Sequence, residues 1–262
     1  MKNRLFVFVM LAAAVAGLVS CKCGQKQPSQ YAVAVEPLAG TDVQSQLNLG
    51  WPLAVWDDGM EMAVGRLEKG EDGLILKRND TAAVKGVLHV TYSPSVAMID
   101  PGCVDISRVQ QALPLGEGMV YYGETTEDAA DKVALKAVCG VIRLRLITEE
   151  QLAKVEISTA DSNRYMAGVF EVSNYPFPVL TPTEQSVRGV ELNGFGNTDF
   201  TQGAEVCCYV APGCYNTFTV VMTTVDGRTC TKNLKDGKAV VLDRNRVCTI
   251  NMGSPEEALV FE

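Results

Sequence analysis

The chain has 262 residues, 47% hydrophobic and 21% charged, proportions that exclude a disordered protein and suit one or two globular domains. A formal charge of −8, an isoelectric point near 4.9 and the lack of any Lys/Arg cluster exclude a nucleic-acid partner, whose phosphates such a field repels. Beyond residue 20 no apolar run approaches the roughly 20 residues that cross a bilayer as a helix, which excludes a polytopic membrane protein.

The chain opens with the positive stretch Met1-Lys-Asn-Arg4, followed by an apolar or small-residue run from Leu5 to Val19. That run is short for a membrane span and suits the apolar region of an export signal. It ends in Leu18-Val-Ser-Cys21, which resembles the lipobox of bacterial lipoproteins, where cleavage precedes the cysteine and its thiol is acylated. Residues 1–20 are therefore expected to be a lipoprotein signal peptide, with Cys21 as the lipidation site. Each buried CH₂ of an acyl chain contributes about 0.8 kcal/mol, so several chains hold a protein on a membrane. Residues 21–30 are polar, without apolar periodicity, and read as a tether.

Beyond the tether the dominant period is two. Tyr31-Ala-Val-Ala-Val35 is a short strand with Tyr31, Val33 and Val35 on one face. Leu53 to Val64 carries Trp56 and an Asp57-Asp58-Gly59 turn. Leu74-Ile-Leu76, Val84 to Tyr92, Val104-Asp-Ile106 and Met119 to Tyr122 follow as strands among Pro and Gly breakers. Helical periodicity is confined to Glu127–Lys132 and Thr148–Lys154, a turn or two each. Ile142-Arg-Leu-Arg-Leu146 alternates an apolar face with Arg143 and Arg145, which read as a solvated outer face. Val155-Glu-Ile157, Met166 to Val172 with Gly168 as a break, Cys214 to Thr224, Ala239 to Leu242 and Val247 to Met252 complete the set. Val225-Asp-Gly-Arg228 is a hairpin turn, and placing Asp226-Gly227 at its tip sets Cys230 opposite Thr223. Cys214 and Cys230 then do not face each other, and no disulfide is expected between them. Many short strands predict an all-β sandwich architecture. The length suits two such domains, divided at the charged, strand-poor segment 124–132: residues 31–130 and 131–262.

Little in the chain suits catalysis. His89 is the single histidine, and it lies on a strand-like run, where a packing role is expected. Any Ser-His-Asp or Cys-His mechanism would have to use it. Asp57-Asp58, Glu149-Glu150 and Glu256-Glu257 are adjacent pairs; on a strand, neighbours point to opposite faces and cannot flank one glycosidic bond. Nine cysteines include no C-x₂-C pair, so with one histidine no metal site and no cofactor is expected. Cys139, Cys208 and Cys248 fall in apolar runs and read as buried thiols. Trp51 and Trp56 read as core anchors rather than a platform for sugar.

The order of lipobox, polar tether, Trp56-Asp-Asp-Gly59, an apolar strand and Tyr92-Ser-Pro94 resembles the fimbrillin family of Bacteroidota lipoproteins. Val104-Asp-Ile106 with Gln110 and Pro114 continues the resemblance. So do the strands around Ala137 to Leu146 and Val155-Glu-Ile157, Gly168, Tyr209-Val-Ala-Pro-Gly213 and the Val225-Asp-Gly227 turn. The resemblance spans nearly the whole chain and rests on order and spacing. It implies two transthyretin-like β-sandwich domains in tandem and a structural or adhesive, non-enzymatic role in a pilus, as shaft, anchor or accessory component. It also implies assembly by β-strand exchange, with Tyr31, Val33 and Val35 on the candidate donor strand. The expected partners are the membrane through the lipid, other pilus subunits including further copies, and a host protein or glycan. The expected place is the outer membrane, at the cell surface, in a fimbrium or facing the periplasm. Two features depart from the family pattern. No Lys or Arg lies between Tyr31 and Trp51, where a shaft subunit carries its cleavage site, and residues 22–27 lack the acidic export signal. A carbohydrate-binding surface lipoprotein is the alternative reading.

Overall fold

The computed structural model describes residues 30–39, 41, 47, 49, 52–80, 82–94, 100–126, 128–173, 176–234, 239–254 and 259–262. They form strands and turns, and no helix occurs among them. The two short helical windows are corrected. Thr126 and Ala129 form an isolated bridge ahead of a strand that begins at Lys132, and the second window becomes a turn leading into a strand from Leu152. Segments under two turns carry the whole cost of helix nucleation with few bonds to offset it, so strand pairing wins.

The first nine strands are β1 (Gln30–Val35), β2 (Pro52–Asp57), β3 (Met62–Gly70), β4 (Gly73–Arg78), β5 (Leu88–Tyr92), β6 (Cys103–Ile106), β7 (Val109–Gln111), β8 (Tyr121–Glu124) and β9 (Lys132–Ala137). Seven of them form one sheet closed on itself, in the order β1-β4-β3-β2-β5-β8-β9. Its inner face is read directly from the register: Tyr31 opposite Leu76, Leu76 opposite Leu67, Val55 opposite Val90, Tyr92 opposite Tyr121. None of these is more than 2% exposed. Strand β5 starts at Leu88, later than the sequence pattern suggests. The Asp57 and Asp58 carboxylates accept from the amides of Lys85 and Val87, and Gly86 is left-handed at φ 77°, so 84–87 is turned away from the ladder.

The remaining strands are β10 (Gly140–Leu146), β11 (Leu152–Ser158), β12 (Gly168–Ser173), β13 (Val179–Pro182), β14 (Gly189–Asn193), β15 (Ala204–Val210), β16 (Gly213–Tyr215), β17 (Phe218–Thr224), β18 (Thr229–Leu234), β19 (Val240–Leu242) and β20 (Val247–Met252). They build the sheets β15-β10-β20 and β18-β17-β11-β14-β7, with the smaller β13-β12-β6 and the pair β16-β19. Val155, Ile157, Val220 and Met222 of one large sheet share a core with Leu144, Leu146 and Ile250 of the other. Main-chain pairing runs across residue 130 in both directions. Strand β9 closes the first sheet beside β1, while β6 and β7 pair with β12 and β14.

Two local details correct the expected register and extent. Cys230 lies opposite Met222, with Thr223 opposite Thr229. The loop has three residues, Val225-Asp-Gly227, with Gly227 at φ 90° and its amide donating to the Thr224 carbonyl. A two-residue tip would have moved the register by one and turned every side chain of β18 to the other face. Cys230 is thereby buried, and both it and Cys214 are free thiols. The run from Cys214 to Thr224 divides into β16 and β17 because the Asp161 carboxylate accepts from the Asn216 amide at 2.6 Å and holds a turn there.

Candidate functional site

Strand β1 is bonded on both sides, antiparallel to β4 and parallel to β9. Its side chains alternate as the sequence requires: Tyr31 is buried, Val33 and Val35 are half-buried on the same side, and Gln30, Ala32 and Ala34 face out. The parallel neighbour is fixed at each end by a main-chain bond of 2.9 Å, from the Ala32 amide to Asp131 and from the Glu36 amide to Leu135. A groove of about 350 Å³ follows the outer side of β1 and β9, bordered by Ala32, Ala34, Glu124, Lys132 and Ala134.

The exit from β1 is clamped by a distant part of the chain. Glu36 accepts from both terminal nitrogens of Arg244, at 2.5 and 3.2 Å, and from the Ala137 amide at 3.1 Å. The next residue, Pro37, accepts from the Asn245 side chain at 3.0 Å. Asn245 holds φ 57°, which turns its amide onto the Cys139 carbonyl and presents Arg244 to Glu36. This fork-to-carboxylate geometry gives the charge-assisted bonds both strength and direction.

His89 sits on the outer face of the same closed sheet. Its ring stacks on Trp56 at 5.5 Å and lies 6.3 Å from the Tyr122 ring. Nδ1 is 3.0 Å from Tyr122 Oη and 3.3 Å from Glu124 Oε1, and Nε2 is 3.2 Å from Asp58 Oδ1. Burial alone would depress the imidazole pKa; the Glu124 and Asp58 carboxylates outweigh it and leave it raised above the ordinary value. Asp58 is held below the usual carboxylate range by the Val87 amide and His89. Glu124 is pushed up by burial and, more strongly, pulled down by His89 and Tyr122, ending below it. The two carboxylates face opposite ring nitrogens, so they do not converge on a point a metal could occupy. Among the described residues no group of three His, Cys, Asp or Glu side chains does so.

The other sequence candidates are dispersed. Cys21, Trp51, Glu256 and Glu257 lie outside the described residues. Trp56 is 3% exposed and offers no face to a sugar. Asp57 accepts from the Gly59 and Lys85 amides, Asp58 accepts from the Val87 amide and faces His89, and Glu150 pairs with Arg228. Arg145 is exposed and Arg143 reaches Glu205 at 3.2 Å. Cys139 and Cys208 are buried, whereas Cys248 is half-exposed. Sequence reading missed the Glu36–Arg244 clamp and a second link, in which Gln110 both donates to the Tyr209 carbonyl and accepts from its amide. Neither has a local signal, since the partners lie 208 and 99 residues apart.

No protein-family model and no curated protein matches the chain. Among solved structures it is similar to a candidate cell adhesion protein from Bacteroides ovatus, with a TM-score of 0.54 at 12% identity, covering 90% of this chain and 95% of that one. The chain shares the all-β fold of that protein. Two further matches are looser: a fimbrial assembly protein from Parabacteroides distasonis (TM-score 0.43, 10% identity, 87% and 92% covered) and the tip fimbrial protein Mfa3 from Porphyromonas gingivalis (0.35, 12%, 80% and 92%). Within this fold, β1 closes the first sheet between β4 and β9.

Proposed function

We propose that the chain is a lipid-anchored, fimbrillin-like structural and adhesion protein that acts in pilus assembly without catalysis. In this reading Cys21 carries the lipid and holds two units, residues 31–130 and 131–262, at the outer membrane, with β6, β7 and β9 pairing across their boundary. They would face the cell surface, a fimbrium or the periplasm. The observation that carries the reading is the placement of β1. It is a short, alternating strand inserted between β4 and β9, and its withdrawal would leave two edges of unpaired backbone and an apolar trough. Such a groove suits strand addition from another subunit, with main-chain bonds giving affinity and alternate side chains filling pockets. The lack of Lys and Arg between Tyr31 and Trp51 leaves an Arg-specific protease no place to release β1. That favours an anchor or accessory subunit over a cleaved shaft subunit. The burial of Trp56 takes one of the two tryptophans away from any sugar and weighs against a carbohydrate-binding role.

The test is size-exclusion chromatography of the protein before and after loss of β1. The intact chain should stay monomeric after exposure to an Arg-specific protease. A chain beginning at Gly40 should form oligomers that a peptide covering Gln30 to Pro37 disperses. A monomeric truncated chain, indifferent to the peptide, would refute strand exchange.

A further inference from the structure

We propose that His89 is a pH-sensitive clamp on the outer face of the closed sheet, fastening the β2–β3 turn to β8 when doubly protonated and releasing it when neutral. The case rests on counting donors. The Tyr122 hydroxyl donates to Glu124, so its oxygen and the Glu124 carboxylate both turn acceptor lone pairs toward His89 Nδ1. On the other side Nε2 faces the Asp58 carboxylate. With the Tyr122 hydroxyl donating to Glu124, bonding at both ring nitrogens takes two ring hydrogens, which only the imidazolium carries. A neutral ring bare at Nδ1 must draw the Tyr122 hydrogen away from Glu124. One bare at Nε2 leaves its lone pair directed at the Asp58 carboxylate.

Asp58 and Glu124 are the charged groups that act on the ring. Asp57, beside Asp58, points away to the Gly59 and Lys85 amides. Lys85 itself pairs with Glu61. The ring cannot escape by rotating freely, because Trp56 stacks on it nearly parallel, at 9°. Three elements thus converge on one titrating side chain: the turn through Asp58, β5 through His89, and β8 through Glu124. Glu124 also borders the groove beside β1, so the clamp ends at the rim of the first strand.

The sign follows from linkage. A histidine whose folded pKa is raised stabilises the fold fully below its unfolded pKa, about 6.5, and loses that contribution as pH rises through the folded value. The test uses the full chain in detergent, where the single histidine gives one imidazole resonance to titrate by NMR. Its midpoint should lie above 6.5 and fall in both Asp58→Asn and Glu124→Gln. Hydrogen exchange of the Val87 amide, corrected for intrinsic rate, should speed up between pH 6 and 8.5, by on the order of tenfold per unit of pKa shift. The step should vanish in His89→Gln. A midpoint at or below 6.5, or a step that survives in His89→Gln, would overturn the proposal; if that variant does not fold, the two carboxylate variants decide it through the midpoint.

Discussion

Replacing Tyr31 with alanine probes how strongly the first strand is held. The side chain is 2% exposed and lies opposite Leu76 in the closed sheet. The ring lost on truncation covers roughly 120 Å², which at ~25 cal/mol/Å² is about 3 kcal/mol. The cavity left among rigid neighbours brings the cost to about 3–5 kcal/mol, the range for large aromatic truncations. That is a substantial part of the 5–15 kcal/mol that stabilises a typical domain. Val33 and Val35 are only half-buried, so Tyr31 supplies most of the apolar anchoring of β1. The loss should therefore be local. Urea unfolding gives the free energy, and hydrogen exchange by mass spectrometry locates it. Protection should fall first in Gln30–Val35 and along β9, whose parallel ladder depends on β1, while β11 and β17 keep theirs. A loss below about 1 kcal/mol, or deprotection that rises equally in β11 and β17, would refute the reasoning.

Cys21→Ser should abolish fatty-acid labelling and shift the protein out of the membrane fraction; unchanged labelling would end the lipoprotein reading. Arg244→Ala should cost about 1.5–3 kcal/mol, the range for hydrogen bonds to a charged group. It should also raise exchange at the Glu36 amide, and an unaltered rate there would mean that the clamp does not hold the end of β1. Gly168→Ala should be among the most damaging single changes outside β1. Its φ is 95° and an added Cβ would meet the Gln185 carbonyl oxygen at 2.2 Å. A loss above about 2 kcal/mol in urea is expected from backbone strain plus the collision. A near-neutral result would place the β12 entry in another conformation.

Much of the fold was legible because strand alternation is a local property. The faces of Tyr31–Val35 and Ile142–Leu146 follow from side-chain direction alone, and both stand in the structure as the pattern predicts. The different partners of Asp57 and Asp58 do not follow from that rule, because β2 ends at Asp57 and Asp58 lies in the turn beyond it. The period-two pattern says which face is apolar and nothing about which strand lies alongside. The insertion of β1 between β4 and β9, and the pairing of β6 and β7 with β12 and β14, depend on contacts between residues far apart in the chain. Short strands such as β13 and β16 carry too few residues for an alternation to register. The hairpin at 225–227 shows the limit within one turn: Asp226-Gly227 announces the reversal, while its three-residue length, and with it the inward face of Cys230, is decided by the core that Met222 already occupies. The polar sites follow the same division. The sequence alone restricts imidazole chemistry to His89, because there is one histidine. Bringing Asp58, Tyr122 and Glu124 onto its two nitrogens, and Arg244 onto Glu36, required the sheet to close, since hydrogen bonds act over a few ångströms and only the tertiary fold brings such distant residues that near.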